Sequence, residues 1–293
     1  MKRKNNIIVK LIFIFFTLFP FIISAQDVIL KQTFTYRDTL KLDFYSKKDV
    51  DVARPILVVV HGGGFSGGKR DNKLEVKFAK EMAAQGYAVA SISYRLTRKG
   101  KSFGCDCPAE DKIKTFVAAT EDITDATIYL QSRSSELKFD ISKTILLGSS
   151  AGAEGVLNTA FMKGDYRFKH IPKFPIAGII SLAGAVVNAA YITEENKVPV
   201  LFFHGIKDNL VPYATAPHHY CHTDKAGYLI LDGANTIAKK LKKLHTSYIL
   251  AFDPNGKHEW SGLGYNHTNL INLFIEKIIM QKEFIQTTLQ LKK

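Results

Sequence analysis

Residues 141–155, Ile-Ser-Lys-Thr-Ile-Leu-Leu-Gly-Ser-Ser-Ala-Gly-Ala-Glu-Gly, constrain this chain more than any other stretch. Residues 144–147 read as a short apolar strand, and a helix-forming run begins at Ala151. A chain that passes from strand to helix this abruptly crowds the positions two before and two after the turning residue. Only glycine fits such crowding, which accounts for Gly148 and Gly152 around Ser150. The turn pushes the Ser150 hydroxyl out beyond the strand end. The N–H of Ala151 then lies at a helix start, where unpaired donors and the helix dipole favour negative charge. In a chain with 20 glycines the pattern also arises by chance, so the chemistry has to be carried by partners elsewhere.

The N-terminus reads as an export signal over residues 1–25. Lys2, Arg3 and Lys4 precede a nearly wholly apolar run at 11–23, and Ser24-Ala25 offers a small residue before a cut ahead of Gln26. That run is shorter than the ~20 residues a spanning helix needs, and Pro20 interrupts it. No membrane span is expected in residues 26–293, whose length suits a single α/β domain. The formal charge of +13 includes four positive charges within the first ten residues. No Lys/Arg block with interleaved aromatics marks a nucleic-acid surface, and none is expected as a partner. The three cysteines, Cys105, Cys107 and Cys221, are too few for a disulfide framework. Export permits one bridge, and Cys221 with either Cys105 or Cys107 is the expected one, since a 105–107 bond closes a strained ring.

Residues 28–36 and 40–45 alternate apolar and polar side chains, as a half-exposed antiparallel pair does. Residues 56–60, 176–185 and 198–204 are continuous apolar runs, suited to strands buried on both faces. Residues 87–94 and 247–252 read as further strands. Helical spacing appears over residues 73–85, ending at Gly86, and over 111–132, with Phe116, Ile123 and Leu130 at seven-residue intervals. More helices are expected over 151–162, 233–244 and 268–284. Strands alternating with helices predict an α/β fold, a mostly parallel central sheet of about eight strands with helices on both faces. Ligands of such sheets bind beyond the carboxyl ends of the strands.

The chemical candidates fall at those ends. His61-Gly62-Gly63-Gly64-Phe65 follows the strand at 56–60, and its glycines let backbone N–H groups approach a substrate. Gly63, Gly64 and Ala151 are the candidate oxyanion donors, and His61 the residue that orients the loop. Asp208 follows the strand at 198–204 and is the candidate acid; Glu154 and Asp253 are its rivals. Among nine histidines, His258 stands after the last strand and in the order Ser…Asp…His, with His267 as runner-up. His170 and His245 read as surface residues. The run His218-His219-Tyr220-Cys221-His222 matches no zinc spacing, so no metal is expected. This loop and residues 98–112 should overhang one cleft, with Phe65, Ser149, Tyr213, Tyr220 and Trp260 as candidate pocket residues.

Together, His61-Gly-Gly-Gly64, Gly148-Ser-Ser150-Ala-Gly152, Asp208 within His204-Gly-x-x-Asp208, and His258 resemble the α/β-hydrolase superfamily. The nearest resemblance is to its HGGG carboxylesterases and the bacterial acetyl- and feruloyl-esterase-like branch, from about Phe34 to the terminal helix. The resemblance implies an α/β-hydrolase fold without a large cap domain. It also implies a serine esterase, with Ser150 as nucleophile, His258 as base, Asp208 as acid and no cofactor. Small acyl or aromatic esters, some carried on carbohydrate, are the implied substrates; a serine peptidase and an inactive binding protein are the alternatives. Glu154 departs from the pattern, since many relatives carry small residues after Gly152.

Overall fold

The computed structural model describes residues 28–48 and 52–292. The expected export segment and its cleavage site lie outside the described residues. In chain order the strands are β1 (Ile29–Arg37), β2 (Leu40–Lys47), β3 (Arg54–Val60), β4 (Ala88–Ile92), β5 (Phe139–Ser149) and β6 (Gly178–Leu182). They continue with β7 (Ala185–Val186), β8 (Val200–Gly205), β9 (Thr215–Pro217), β10 (Ile230–Gly233), β11 (Tyr248–Asp253) and β12 (Gln286–Gln290). The helices are α1 (Lys73–Ala84), α2 (Ala109–Ser132), α3 (Ser134–Leu137), α4 (Ala151–Phe161), α5 (Ala234–Lys243), α6 (Trp260–Leu263) and α7 (Thr268–Leu273).

Among the described residues, nine strands form the main sheet in the order β1-β2-β4-β3-β5-β6-β8-β11-β12. β2 runs antiparallel to β1 and β4, and every other pairing is parallel. The expected central sheet is therefore present, one strand larger. β3 is buried along its whole length, its apolar residues 56–60 as their sequence requires and Arg54 along with them. Its side chains divide by the two-residue period of a strand. Val58 and Val60 join Phe116 and Ile123 of α2, Leu157 of α4 and Ile237 of α5 on one face. Leu57 and Val59 join Phe78 and Met82 of α1, Ile271 of α7 and Phe274 on the other. Two layers of helices thus hold the central strands out of water, with no large cap among the described residues.

Three departures from the expected elements have local causes. The apolar run at 176–185 breaks at Ala183, whose φ of 56° turns the chain out of β6 and into β7. β7, β10 and β9 then form a second, three-stranded antiparallel sheet. The terminal helix stops at residue 280 after a π-helical stretch, Phe274–Met280, rather than at 284. Lys282, with φ of 60°, turns the chain back so that β12 adds parallel to β11.

Candidate active site

Five parallel strands, β3, β5, β6, β8 and β11, end at one edge of the sheet, and the candidate residues gather there. Ser150 links β5 directly to α4 with φ of 50° and ψ of −120°, a conformation an L-residue holds only when its surroundings enforce it. The enforcement is steric. A Cβ on Gly148 would lie 2.2 Å from Gly152 O, and one on Gly152 would lie 2.1 Å from Val60 O. The Ser150 N–H donates to Leu182 O at 2.8 Å, tying the turn to the neighbouring strand.

From this turn the Ser150 hydroxyl lies 2.7 Å from His258 Nε2. His258 Nδ1 lies 2.7 Å from Asp208 Oδ2 on its other side. The Asp208 side chain is fully buried while that of His258 is 20% exposed, so the chain of contacts runs from the interior toward solvent. The Leu210 and Val211 N–H groups donate to Asp208 Oδ1 at 2.9 and 3.0 Å. Burial works to raise the Asp208 pKa, but hydrogen bonds and charge from His204 and His258 outweigh it and hold the carboxyl well below its usual range. An ionised Asp208 fixes the His258 tautomer with Nδ1–H donating, which leaves Nε2 to accept the serine proton.

The glycine loop crosses beside the same serine. A Cβ on Gly62 would lie 3.3 Å from Ser150 Cβ, so the loop backbone abuts the Ser150 side chain. Gly63 and Gly64 have φ of 119° and 59°, and no hydrogen bond among the described residues uses their N–H groups. Ala151 is the first residue of α4, where an N–H has no partner within the helix. His61 is buried, with Nδ1 2.7 Å from Gly62 O and its ring stacked on Tyr94 at 4.5 Å. Burial pushes its pKa down, which suits a neutral ring that holds the loop.

The other candidates lie elsewhere. Asp253 accepts from Trp260 Nε1 at 3.1 Å and from the Asn255 N–H at 2.9 Å. His267 packs between Phe203 and Trp260, each 5.4 Å away. His170 reaches Glu121, and His245 is exposed. Phe65 and Trp260, expected in the pocket, are core residues: Phe65 packs edge-on against Tyr94, Phe103 and Phe116, and Trp260 is sealed on the α1 face. A large ring beside a motif finds more apolar area inward than in an open cleft. Ser149 points away, donating to Ser261 O at 2.9 Å. Tyr213 is half-buried against His204, and Tyr220 is half-exposed on the loop at 218–222. That loop is bonded to the loop at 98–112 by a Cys105–Cys221 disulfide, which leaves Cys107 free and buried.

The BD-FAE family model matches residues 42–184, from β2 through the Ser150 turn. A butyrate-bound thermophilic esterase from the Planctomycetes species Thermogutta terrifontis superposes with a TM-score of 0.60 at 18% identity, over 85% of this chain and 94% of that one. Esterase B from Lactobacillus Rhamnosis HN001 gives 0.57 at 16% identity, over 87% of each chain. A comparison with curated proteins finds no match. The chain has the α/β-hydrolase fold.

Within this α/β-hydrolase fold, three residues acquire places that the sequence did not suggest. His204, fully buried on β8, lies with Nε2 3.4 Å from Asp208 Oδ2 and 3.1 Å from Val211 O. Its place four residues before Asp208 is the only signal it leaves in the sequence. Glu154 and His218 meet, Oε1 to Nε2 at 3.3 Å, both buried. Glu154 lies in the first turn of α4, where a carboxylate can complement the helix dipole, yet it is buried.

Proposed function

We propose that this protein is a serine carboxylic ester hydrolase working through an acyl-enzyme, built from residues 26–293 as one domain and exported. The observation that carries the reading is the relay Ser150 Oγ–His258 Nε2 and His258 Nδ1–Asp208 Oδ2, both 2.7 Å. Ser150 Oγ attacks the ester carbonyl carbon while its proton passes to His258 Nε2. The imidazolium so formed is held by Asp208. The carbonyl oxygen, now negative, is received by the N–H groups of Gly63, Gly64 and Ala151, each such donor typically worth ~3 kcal/mol of barrier. The alcohol leaves with the proton from His258. Water then attacks the acyl-enzyme with His258 again as base, releasing the carboxylic acid and restoring Ser150.

Small acyl groups are the favoured substrates. The similarly folded Thermogutta terrifontis esterase is described with bound butyrate, and also as phosphonylated by cyclosarin, which supports an activated nucleophile in this architecture. Aromatic esters and esters on carbohydrate are the finer expectation of the resemblance. Export is supported by the basic-then-apolar N-terminus and by a disulfide, which persists in oxidising compartments.

The test is Ser150→Ala. The variant should fold with an unchanged circular dichroism spectrum and lose hydrolysis of p-nitrophenyl acetate and labelling by a fluorophosphonate. Retained turnover removes the mechanism. A panel of matched esters and amides then separates esterase from peptidase activity.

A further inference from the structure

Glu154 has no role in the steps above, yet it is a carboxyl buried one turn beyond the nucleophile, on a helix with every residue buried. Its Oε1 lies 3.3 Å from His218 Nε2, and the two side chains are 2% and 1% exposed. Phe103 and Phe116 face the His218 ring edge-on at 5.1 and 6.2 Å, so the contact is dry on that side.

The backbone around His218 leads to the acid loop. The His219 N–H donates to Leu210 O at 2.8 Å. The Leu210 N–H in turn donates to Asp208 Oδ1 at 2.9 Å. His219 and Tyr220 have φ of 57° and 50°, consecutive left-handed residues without a glycine, so this turn persists only because its contacts over-determine it. Those contacts are His218 on Glu154, the His218 N–H on Leu229 O at 2.7 Å, and Cys221 bonded to Cys105.

We propose that Glu154 and His218 form a brace joining the helix that carries Ser150 to the loop that carries Asp208, so that Glu154 is a positioning residue for the hydrolytic relay. The proposal rests on the esterase reading above. The brace works with both partners uncharged. Burial drives the Glu154 carboxyl up to about 8 and the His218 imidazole well below its ordinary value. Glu154 Oε1 makes no hydrogen bond among the described residues, and at 3.3 Å it lies within reach of Nε2 for a carboxyl O–H to donate there. The groups that act on Glu154 electrostatically are His219 from the same turn, His258 and Asp208 from the relay, Lys112 from α2, and Tyr94 after β4. Once ionised, Glu154 has no proton to donate and meets Asp208 as a like charge.

The test compares wild type with Glu154→Gln, Glu154→Ala, His218→Phe and the Glu154→Ala/His218→Phe double variant. Readouts are kcat and KM for p-nitrophenyl acetate, the labelling rate of Ser150 by a fluorophosphonate, and the melting temperature. A relay displaced by about 1 Å loses up to ~10²-fold in rate, so Glu154→Ala and His218→Phe should each lower kcat and labelling by roughly 10- to 100-fold with KM little changed. The double variant should be no slower than the slower single one, because both remove one contact. Glu154→Gln, whose amide donates to the same nitrogen, should keep most of the rate. It should also lack the fall in kcat that wild type shows as pH rises through about 8. Wild-type rates in the Glu154→Ala or His218→Phe variants, fully additive losses, or a Glu154→Gln variant as slow as Glu154→Ala would each overturn the brace. Should Glu154→Ala fail to fold, His218→Phe and Glu154→Gln decide the matter alone. A wild-type protein that neither hydrolyses ester nor labels removes the esterase reading and the brace with it.

Discussion

Two carboxylates at neighbouring strand ends divide the work by their partners. Asp208 receives Leu210 N–H, Val211 N–H and His258 Nδ1, and so faces the cleft through an imidazole. Asp253 receives Trp260 Nε1 and the Asn255 N–H, and so closes a turn over the core. Exchanging either for asparagine preserves shape and removes charge, which separates the two roles. Asp208→Asn should lower kcat by as much as ~10⁴-fold, because the amide can donate to Nδ1 and turn the imidazole to the wrong tautomer. Asp253→Asn should lower the melting temperature modestly and leave kcat near wild type. The measurement is kcat for p-nitrophenyl acetate beside thermal unfolding of both variants, and the reverse ranking would reassign the acid. This much was legible from residues alone. Each of Ser150, Asp208 and His258 follows a buried apolar strand, and strand ends on a parallel sheet converge. The supporting contact of His204 on Asp208 was not legible, since a histidine closing an apolar strand reads equally as packing.

At the scale of elements, legibility followed burial. The apolar runs of β3, β6, β8 and β11, and of β5 from Thr144 onward, are buried or nearly so, and the sequence marks them. β12, Gln-Thr-Thr-Leu-Gln, sits half-buried to exposed at the sheet edge, and its pairing with β11 rests on backbone hydrogen bonds that no side-chain pattern announces. β7, β9 and β10 are two to four residues long, too short for a two-residue period to register. α4 shows the opposite case, a helix recognised correctly but with one member at odds with its surroundings. Glu154 is the acidic residue in a first turn that would otherwise suit it, yet every residue of α4 is buried. Burial lifts its pKa from the ordinary 4.5 to about 8. The folded state therefore binds the extra proton, and the stability this confers is complete below pH 4.5 and lost as pH rises to about 8. Compared with Glu154→Gln, wild type should match at pH 4.5 and fall behind by up to about 1.4 kcal/mol per pH unit until that limit. Urea unfolding of both proteins across this range measures the difference, and a constant gap would show that the carboxyl is ionised throughout.

Over the whole molecule, the loops at 98–112 and 218–222 come from distant parts of the sequence and are joined twice. Cys105 and Cys221 close a covalent loop with a sequence separation of 116 residues. The same junction carries three hydrogen bonds: Gly227 N–H to Cys105 O at 2.8 Å, Ala109 N–H to Ala226 O at 2.8 Å, and Lys112 Nζ to Gly227 O at 2.8 Å. Gly227 is required there, since a Cβ would lie 2.7 Å from the carbonyl oxygens of Gly104, Cys105 and Cys107. The two kinds of tie act on different states. A bridge across so long a loop acts mainly by restricting the unfolded chain, worth up to ~4–5 kcal/mol. The hydrogen bonds act in the folded state, each at about 1 kcal/mol, and together suffice to keep the loops docked. Cys105→Ser/Cys221→Ser should therefore unfold at clearly lower urea concentration while retaining most of its p-nitrophenyl acetate turnover at 25 °C. If turnover instead collapses while the circular dichroism spectrum stays native, the covalent bridge rather than the Gly227 junction sets the loop over the serine.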